Sequence, residues 1–171
     1  MGFWLPFVVG APDTVHALGH FRIANVPESA LRALGVHTRA TPSWDRMAQV
    51  GAGGAAALWC VATRRWPAAL MVAAAVRIAI DPSAHPYYTA SLVAFVVAWE
   101  LISTPWAIPV VSIVTGVALV GPRYIHWNLA DAGAYRLAAC VAVVVLGAFV
   151  RGPGRVGESL LPRRQRAAAV P

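Results

Sequence analysis

The sequence predicts an all-α protein: a polytopic transmembrane helix bundle with about five full spans plus a partial N-terminal span. Three observations predict it. The chain is 58% hydrophobic. It is only 12% charged, against about 25% in an ordinary soluble domain. Its apolar residues fall in five successive runs, about 47–63, 66–80, 87–104, 106–121 and 134–150, with little charge between them. A soluble protein needs polar surface to face water, and this composition offers too little of it.

Met1–Gly10 is apolar but half the length of a span, since a helix needs about 20 residues to cross. It reads as a partial span or an interfacial anchor. The first reading makes the chain the C-terminal part of a longer protein, or the product of a late start codon. No basic region opens the segment, so no cleavable signal is expected.

Residues 11–46 form the one long polar segment. Asp13 can cap a short helix at Thr14–Phe21. Pro27-Glu28-Ser29 opens another at Ser29–Leu34, and Gly35 stops it. Leu18, Phe21, Leu31 and Leu34 suit short amphipathic turns on a membrane surface. Trp44 sits where interfacial aromatics collect, at the entry to the first run.

Each of the five runs holds roughly 15–18 residues, close to the lower limit of about 17 for a span. Flanking Trp, Tyr and Arg side chains can extend them into the headgroups. Arg64-Arg65 and Ser103-Thr104-Pro105 are links so short that the helices they join must be antiparallel. Gly51, Gly53 and Gly54 reduce bulk on one helix, so that a neighbour can approach.

All fourteen basic residues are arginine. Arg64 and Arg65 follow the first run; Arg151, Arg155, Arg163, Arg164 and Arg166 follow the fifth. Parity puts these two places on one side, which the positive-inside rule makes cytoplasmic. Segment 11–46, the turn 81–86 and the loop 122–133 then share the outer face. The tail 151–171 has no apolar periodicity and reads as an Arg-rich disordered cytoplasmic segment. The expected location is the cell membrane, multi-pass. Arginines placed at the ends of apolar runs suit lipid headgroups rather than nucleic acid, so the partners expected are a lipid bilayer and no nucleic acid.

The candidate site is the turn between the second and third runs, Arg77-Ile-Ala-Ile-Asp81-Pro82-Ser-Ala-His85-Pro86-Tyr87-Tyr88. Arg77 lies in an apolar run, where a charge is costly and calls for a reason. Asp81 is four residues on, one helical turn along the same face. Two readings stay open. In one, Arg77 and Asp81 pair and close the helix end beside Pro82. In the other, Arg77 meets a phosphate or pyrophosphate, with Tyr87 and Tyr88 as amphipathic walls.

Other polar residues carry less. Glu100 reads as a carboxylate reaching the inner interface; a proton relay would need a partner that the nearby loop does not offer. Arg123, Tyr124, His126, Trp127, Asn128 and Asp131 read as an aromatic belt with a helix cap at Asp131, or else as the rim of a sugar site. His16 and His20 have i,i+4 spacing but no intervening Glu and no third ligand, so no metal site is expected. Cys60 and Cys140 read as small hydrophobes. The remaining acidic residues stand alone along the chain, and no phosphate-cradling glycine motif occurs. No cofactor is expected, and the catalytic residues stay unknown.

Arg77-x-x-x-Asp81-Pro82-x-x-x-x-Tyr87-Tyr88-Thr89-Ala90, with a following run ending Ala98-Trp99-Glu100, resembles the C-terminal spans of polytopic actinobacterial membrane proteins. These are similar to polyprenol-phosphate-sugar-dependent glycosyltransferases of the GT-C type. Pro27-Glu28-Ser29-Ala30-Leu31-Arg32-x-Leu34-Gly35-Val36 and Thr41-Pro42-Ser43-Trp44 fit the same resemblance, which covers about residues 1–120. It implies a polyprenyl-phosphate-linked sugar as partner, with Arg77 on the carrier phosphate. In that fold the catalytic acid lies on the first outer loop of the N-terminal half, and no residue here matches it. The alternative expectation is a non-catalytic scaffold or accessory subunit packed beside a membrane protein partner.

Overall fold

The structure, a computed structural model, describes residues 23–104, 108–124 and 128–150, with Gly10 and Asp13 as isolated positions. Apart from those two residues, the expected partial span at 1–10 and the helix at Thr14–Phe21 lie outside the described residues, as does the tail 151–171. Among the described residues the protein is all-helical. Residues 23–150, where described, form six α-helices, no strand, and one isolated antiparallel bridge between Ala24 and Ala40.

The first fully described helix, α1 (Ala30–Ala33), is the one expected after Pro27-Glu28-Ser29. Ser29 caps it, its Oγ accepting from the Arg32 amide at 3.3 Å. Gly35, at φ +92°, stops it. The Gly35 amide turns back to the Arg32 carbonyl and the Val36 amide to that of Leu31, a Schellman ending that needs a left-handed residue.

Around α1, segment 23–41 folds on itself. Buried Asn25 is its hub: Nδ2 donates to the carbonyls of Val36 and Thr38, and Oδ1 accepts from Ser29 Oγ at 2.7 Å. Thr41 Oγ1 donates to the Ile23 carbonyl. Leu31 is therefore buried inside the protein rather than laid on a membrane surface, while Leu34 stays exposed.

Five helices follow: α2 (Asp45–Ala62), α3 (Ala69–Ala79), α4 (Pro86–Ser103), α5 (Val110–Val120) and α6 (Leu129–Phe149). Each coincides with one of the five apolar runs. Pro67 spends the start of the second run in a 3-10 turn, Trp66–Ala68, because its missing N–H suits a first turn. The short link Arg64-Arg65 does reverse the chain. Arg64, at φ 59°, occupies the left-handed position of a second Schellman ending, with Arg65 N bonded to the Cys60 carbonyl and Arg64 N to that of Val61.

Helix α3 lies at the centre, against α2, α4 and α6. Its Met71, Val72, Ala75 and Ile78 join Cys60, Leu92, Val96, Trp99, Cys140 and Val143 in the core. Gly53, of the three glycines in α2, is the one that permits close approach: a Cβ there would stand 3.4 Å from the Ala73 carbonyl, while Gly51 and Gly54 face open space. Tighter contacts lie on α6. A Cβ at Gly133 would stand 2.6 Å from the Ser29 carbonyl oxygen, and one at Gly147 would stand 2.5 Å from Val72 Cγ2.

These contacts define two ends. One gathers segment 23–44, the turn 81–85 and the start of α6, joined by the Val26 amide on the Pro82 carbonyl and by Gly133 against Ser29. The other holds Arg64, Arg65 and the ends of α4 and α6.

The expected count of five full spans is corrected. Among the described residues only α4 and, in α6, residues Asp131–Phe149 are long and apolar enough to cross a membrane. Helices α3 and α5 have 11 residues each, a rise of about 17 Å against a hydrocarbon core of about 30 Å. Helix α2 has the length, at 18 residues, but opens on Asp45, Arg46 and Gln49 and is rich in glycine and alanine.

Gly133→Ala tests this packing. Alanine gains about 1 kcal/mol in helix propensity, yet a methyl pressed on a backbone carbonyl costs about 1–3 kcal/mol in overpacking. Thermal unfolding in detergent should show Gly133→Ala melting below the unmodified protein and Gly54→Ala melting above it.

Candidate functional site

The turn between α3 and α4 is built from helix endings. Helix α3 ends at Ala79 with Ile80 as its cap, and Pro86 opens α4 at the position where proline is preformed for a helix. Arg77 lies in the last turn of α3, where the helix dipole favours a cation. Its side chain is exposed. The guanidinium carbon sits 4.5 Å from the centroid of the Tyr88 ring, a cation–π placement. Arg77 Nε donates to Gln49 Oε1 at 3.4 Å.

Behind Tyr88 the aromatic surface continues. The Tyr87 and Tyr88 rings lie 4.2 Å apart, and His85 stacks on Tyr87 at 5.2 Å. Arg77, Tyr87 and Tyr88 thus come together as the sequence suggested, with His85 as an addition.

Asp81 does not join them. The helix has ended before it, so four-residue spacing no longer means a shared face. Asp81 is 2% exposed, and its Oδ1 accepts from the Ser83 amide and from Ser83 Oγ, both at 2.8 Å. This local turn takes the place of the Arg77–Asp81 pair.

Its electrostatic neighbour is Asp45, at the first position of α2. Asp45 is 1% exposed, and its Oδ2 accepts from Gln49 Nε2 at 2.8 Å. Burial and then the Asp81 charge push the Asp45 carboxyl above the usual aspartate range, while the Gln49 hydrogen bond and Arg46 pull it back. Asp45 and Asp81 are 36 positions apart in the sequence, so nothing along the chain announced that the charge of one acts on the other. Antiparallel packing of α2 on α3 is what joins them. Gln49, bonded to Asp45 on one side and Arg77 on the other, is a second residue the sequence reading missed.

At the opposite end, Glu100 is 3% exposed and does not reach the interface. Its Oε1 accepts from the Val111 amide at 2.8 Å, and its Oε2 from the Ser112 amide at 2.9 Å and Ser112 Oγ at 2.5 Å. These amides belong to the first turn of α5, whose cap position is Pro109. The carboxylate therefore serves as the missing cap, with the helix dipole favouring its charge.

The loop 122–133 is only partly described. Tyr124 is exposed, while His126 and Trp127 lie outside the described residues, as do His16 and His20. Asp131 is not the cap of α6: the helix starts two residues ahead of it and Asp131 sits in its first turn. Arg136, buried within α6, was not singled out by the sequence. Among the described residues no three metal-ligating side chains cluster.

No protein-family model, curated protein or solved structure matches this chain. Among the described residues the fold is all-helical, with two helices long and apolar enough to cross a membrane and, at one end, an exposed arginine on an aromatic surface.

Glu100→Ala should destabilise the fold by about 2–3 kcal/mol, because buried amides of α5 lose a charged acceptor. Glu100→Gln, which keeps one acceptor oxygen, should lose less. Chemical unfolding in mixed micelles reads both.

Proposed function

We propose that this chain is an integral membrane protein whose turn between α3 and α4 engages the phosphate of a polyprenyl-phosphate-linked sugar. On this reading it is the C-terminal membrane part, or a truncated relative, of a lipid-linked sugar transferase of the GT-C type. The observation that carries it is Arg77: an exposed guanidinium, oriented by Gln49 and seated on Tyr88. A planar guanidinium offers paired donors to phosphate oxygens, and the Tyr87–Tyr88 surface suits an amphipathic ligand.

The membrane setting draws support from burial. Core helices of a soluble protein are mostly covered, whereas only 33% of the α4 window and 28% of the α6 window are buried. Ile113, Val114 and Val117 on α5, and Val141, Val145 and Phe149 on α6, present apolar side chains outward, more than a water-facing surface tolerates. In the proposed arrangement all five apolar runs lie in the bilayer, the shorter ones beside the longer. The Arg64–Arg65 end and the C-terminus face the cytoplasm, which makes the Arg77 end the outer one.

A second reading, a non-catalytic accessory subunit, draws on Asp45 and Asp81. Both carboxylates near Arg77 are buried and thus withdrawn from any substrate that Arg77 could reach.

Two experiments test the reading. In lipid nanodiscs, Arg77→Ala should weaken binding of a polyprenyl phosphate about tenfold, or about 1.4 kcal/mol, and Arg77→Lys by less. Unchanged affinity in Arg77→Ala removes the site. Separately, in a background with Cys60 and Cys140 replaced by serine, Ser43→Cys and Thr63→Cys in sealed vesicles should react with an impermeant maleimide from opposite sides. Reaction of both from one side removes the spanning arrangement.

A further inference from the structure

The end of the bundle opposite Arg77 carries positive charge that the described residues do not neutralise. Arg64 and Arg65 link α2 to the 3-10 turn Trp66–Ala68. Arg65 Cζ sits 5.7 Å from the centroid of the Trp59 ring, a cation–π placement. Its Nε and Nη1 are covered and have no hydrogen-bond partner. Arg64 is exposed and holds φ 59°, a left-handed position where glycine is the usual occupant. Among the described residues, Glu28, Asp45, Asp81 and Asp131 belong to the other end. Glu100 belongs to this one, but both its oxygens are taken by the first turn of α5.

We propose that Arg64 and Arg65 hold the phosphodiester of an anionic lipid headgroup, with the lipid's glycerol and upper acyl chain against Trp59 and Trp66. The two indoles are 45% and 53% exposed, and tryptophans settle at headgroup depth. Two guanidinium forks offer paired donors to phosphate oxygens. Because Nε and Nη1 are covered, the Arg65 fork pivots on the Trp59 face to meet them. Capping of α2 does not explain the arginine side chains. The carbonyls of Trp59, Cys60 and Val61 are already met by the amides of residues 63–65 and by Thr63 Oγ1. Inorganic phosphate shares the chemistry that the arginines recognise but gains nothing from the indoles.

The site rests on the bilayer-spanning part of the preceding reading and not on Arg77. Its failure leaves the binding of a polyprenyl phosphate at Arg77 untouched, and the maleimide labelling tests the spanning arrangement by itself. An arginine near an anionic lipid surface contributes about fivefold in affinity. Arg64→Gly is the informative variant. Glycine suits φ 59°, so this variant should melt no lower than the unmodified protein in neutral detergent, yet bind the lipid less well. An arginine with a merely structural role would leave lipid binding unchanged.

The full chain in neutral detergent micelles is titrated with short-chain phosphatidylglycerol, phosphatidylcholine and inorganic phosphate, and bound lipid is counted by native mass spectrometry. The unmodified protein should hold phosphatidylglycerol at least about fivefold more tightly than phosphatidylcholine. Arg64→Gly and Arg65→Gln should each weaken phosphatidylglycerol binding about fivefold, while Arg77→Ala should not. Equal affinity for the two lipids, unchanged affinity in either linker variant, or a loss in Arg77→Ala as large as theirs overturns the proposal. Displacement of phosphatidylglycerol by an equal concentration of inorganic phosphate overturns it in favour of a free anion. Should the variants not fold, tryptophan fluorescence of the unmodified protein decides. Brominated phosphatidylglycerol should quench it more strongly than brominated phosphatidylcholine, and equal quenching refutes the site.

Discussion

The bundle depends on backbones that approach as closely as a missing side chain allows. Gly53 meets the Ala73 carbonyl, Gly133 meets that of Ser29, and Gly147 meets Val72 and Met71. In lipid, apolar tails solvate a helix as well as a neighbouring helix does, so association rests on packing at short range. This matters most for α3, which has 11 residues and touches four other helices. Gly53 brings α2 onto it and Gly147 brings α6 onto it, while Gly133 presses α6 against the capped turn of α1. Without those approaches the central helix would lose the dispersion contacts that a short element needs.

The two ends of the bundle treat buried carboxylates in opposite ways. Glu100 is fully employed: both oxygens accept from the first turn of α5, and the serine hydroxyl adds a third bond. It substitutes for the cap that Pro109 cannot provide and ties α4 to α5 across their corner. Asp45 and Asp81 are each only half employed. The first arrangement makes a rigid corner. The second concentrates electrostatic tension beneath the surface arginine, with Gln49 as the link between them.

Much of the helical plan was legible in the sequence, because apolar runs bounded by proline, glycine and arginine mark where helices begin and stop. The short helix after Ser29 and its Gly35 ending followed from capping chemistry alone. The reversal at Arg64-Arg65 followed from the length of the link, and the grouping of Arg77 with the tyrosines from their nearness in the chain. Span length was harder to read. Apolar character continues through the 3-10 turn at Pro67 and past Ala79, while the helix itself does not. Asp81 was misplaced for the same reason, since its helical spacing assumed a helix that had already ended. The Asp45–Asp81 neighbourhood and the capping of α5 by Glu100 are tertiary facts that no local pattern carries.

The short length of α5 has a consequence for the surrounding solvent. This helix shows Ile113, Val114 and Val117 to the outside, yet rises about 17 Å, far less than the neighbouring α4 and α6. In the bilayer setting proposed here, lipid beside α5 must thin or tilt to cover a belt of that height, whereas lipid beside the longer helices need not. The protein would then carry a built-in hydrophobic mismatch on one flank, drawing it toward thinner membranes and lowering headgroups toward the midplane along that side.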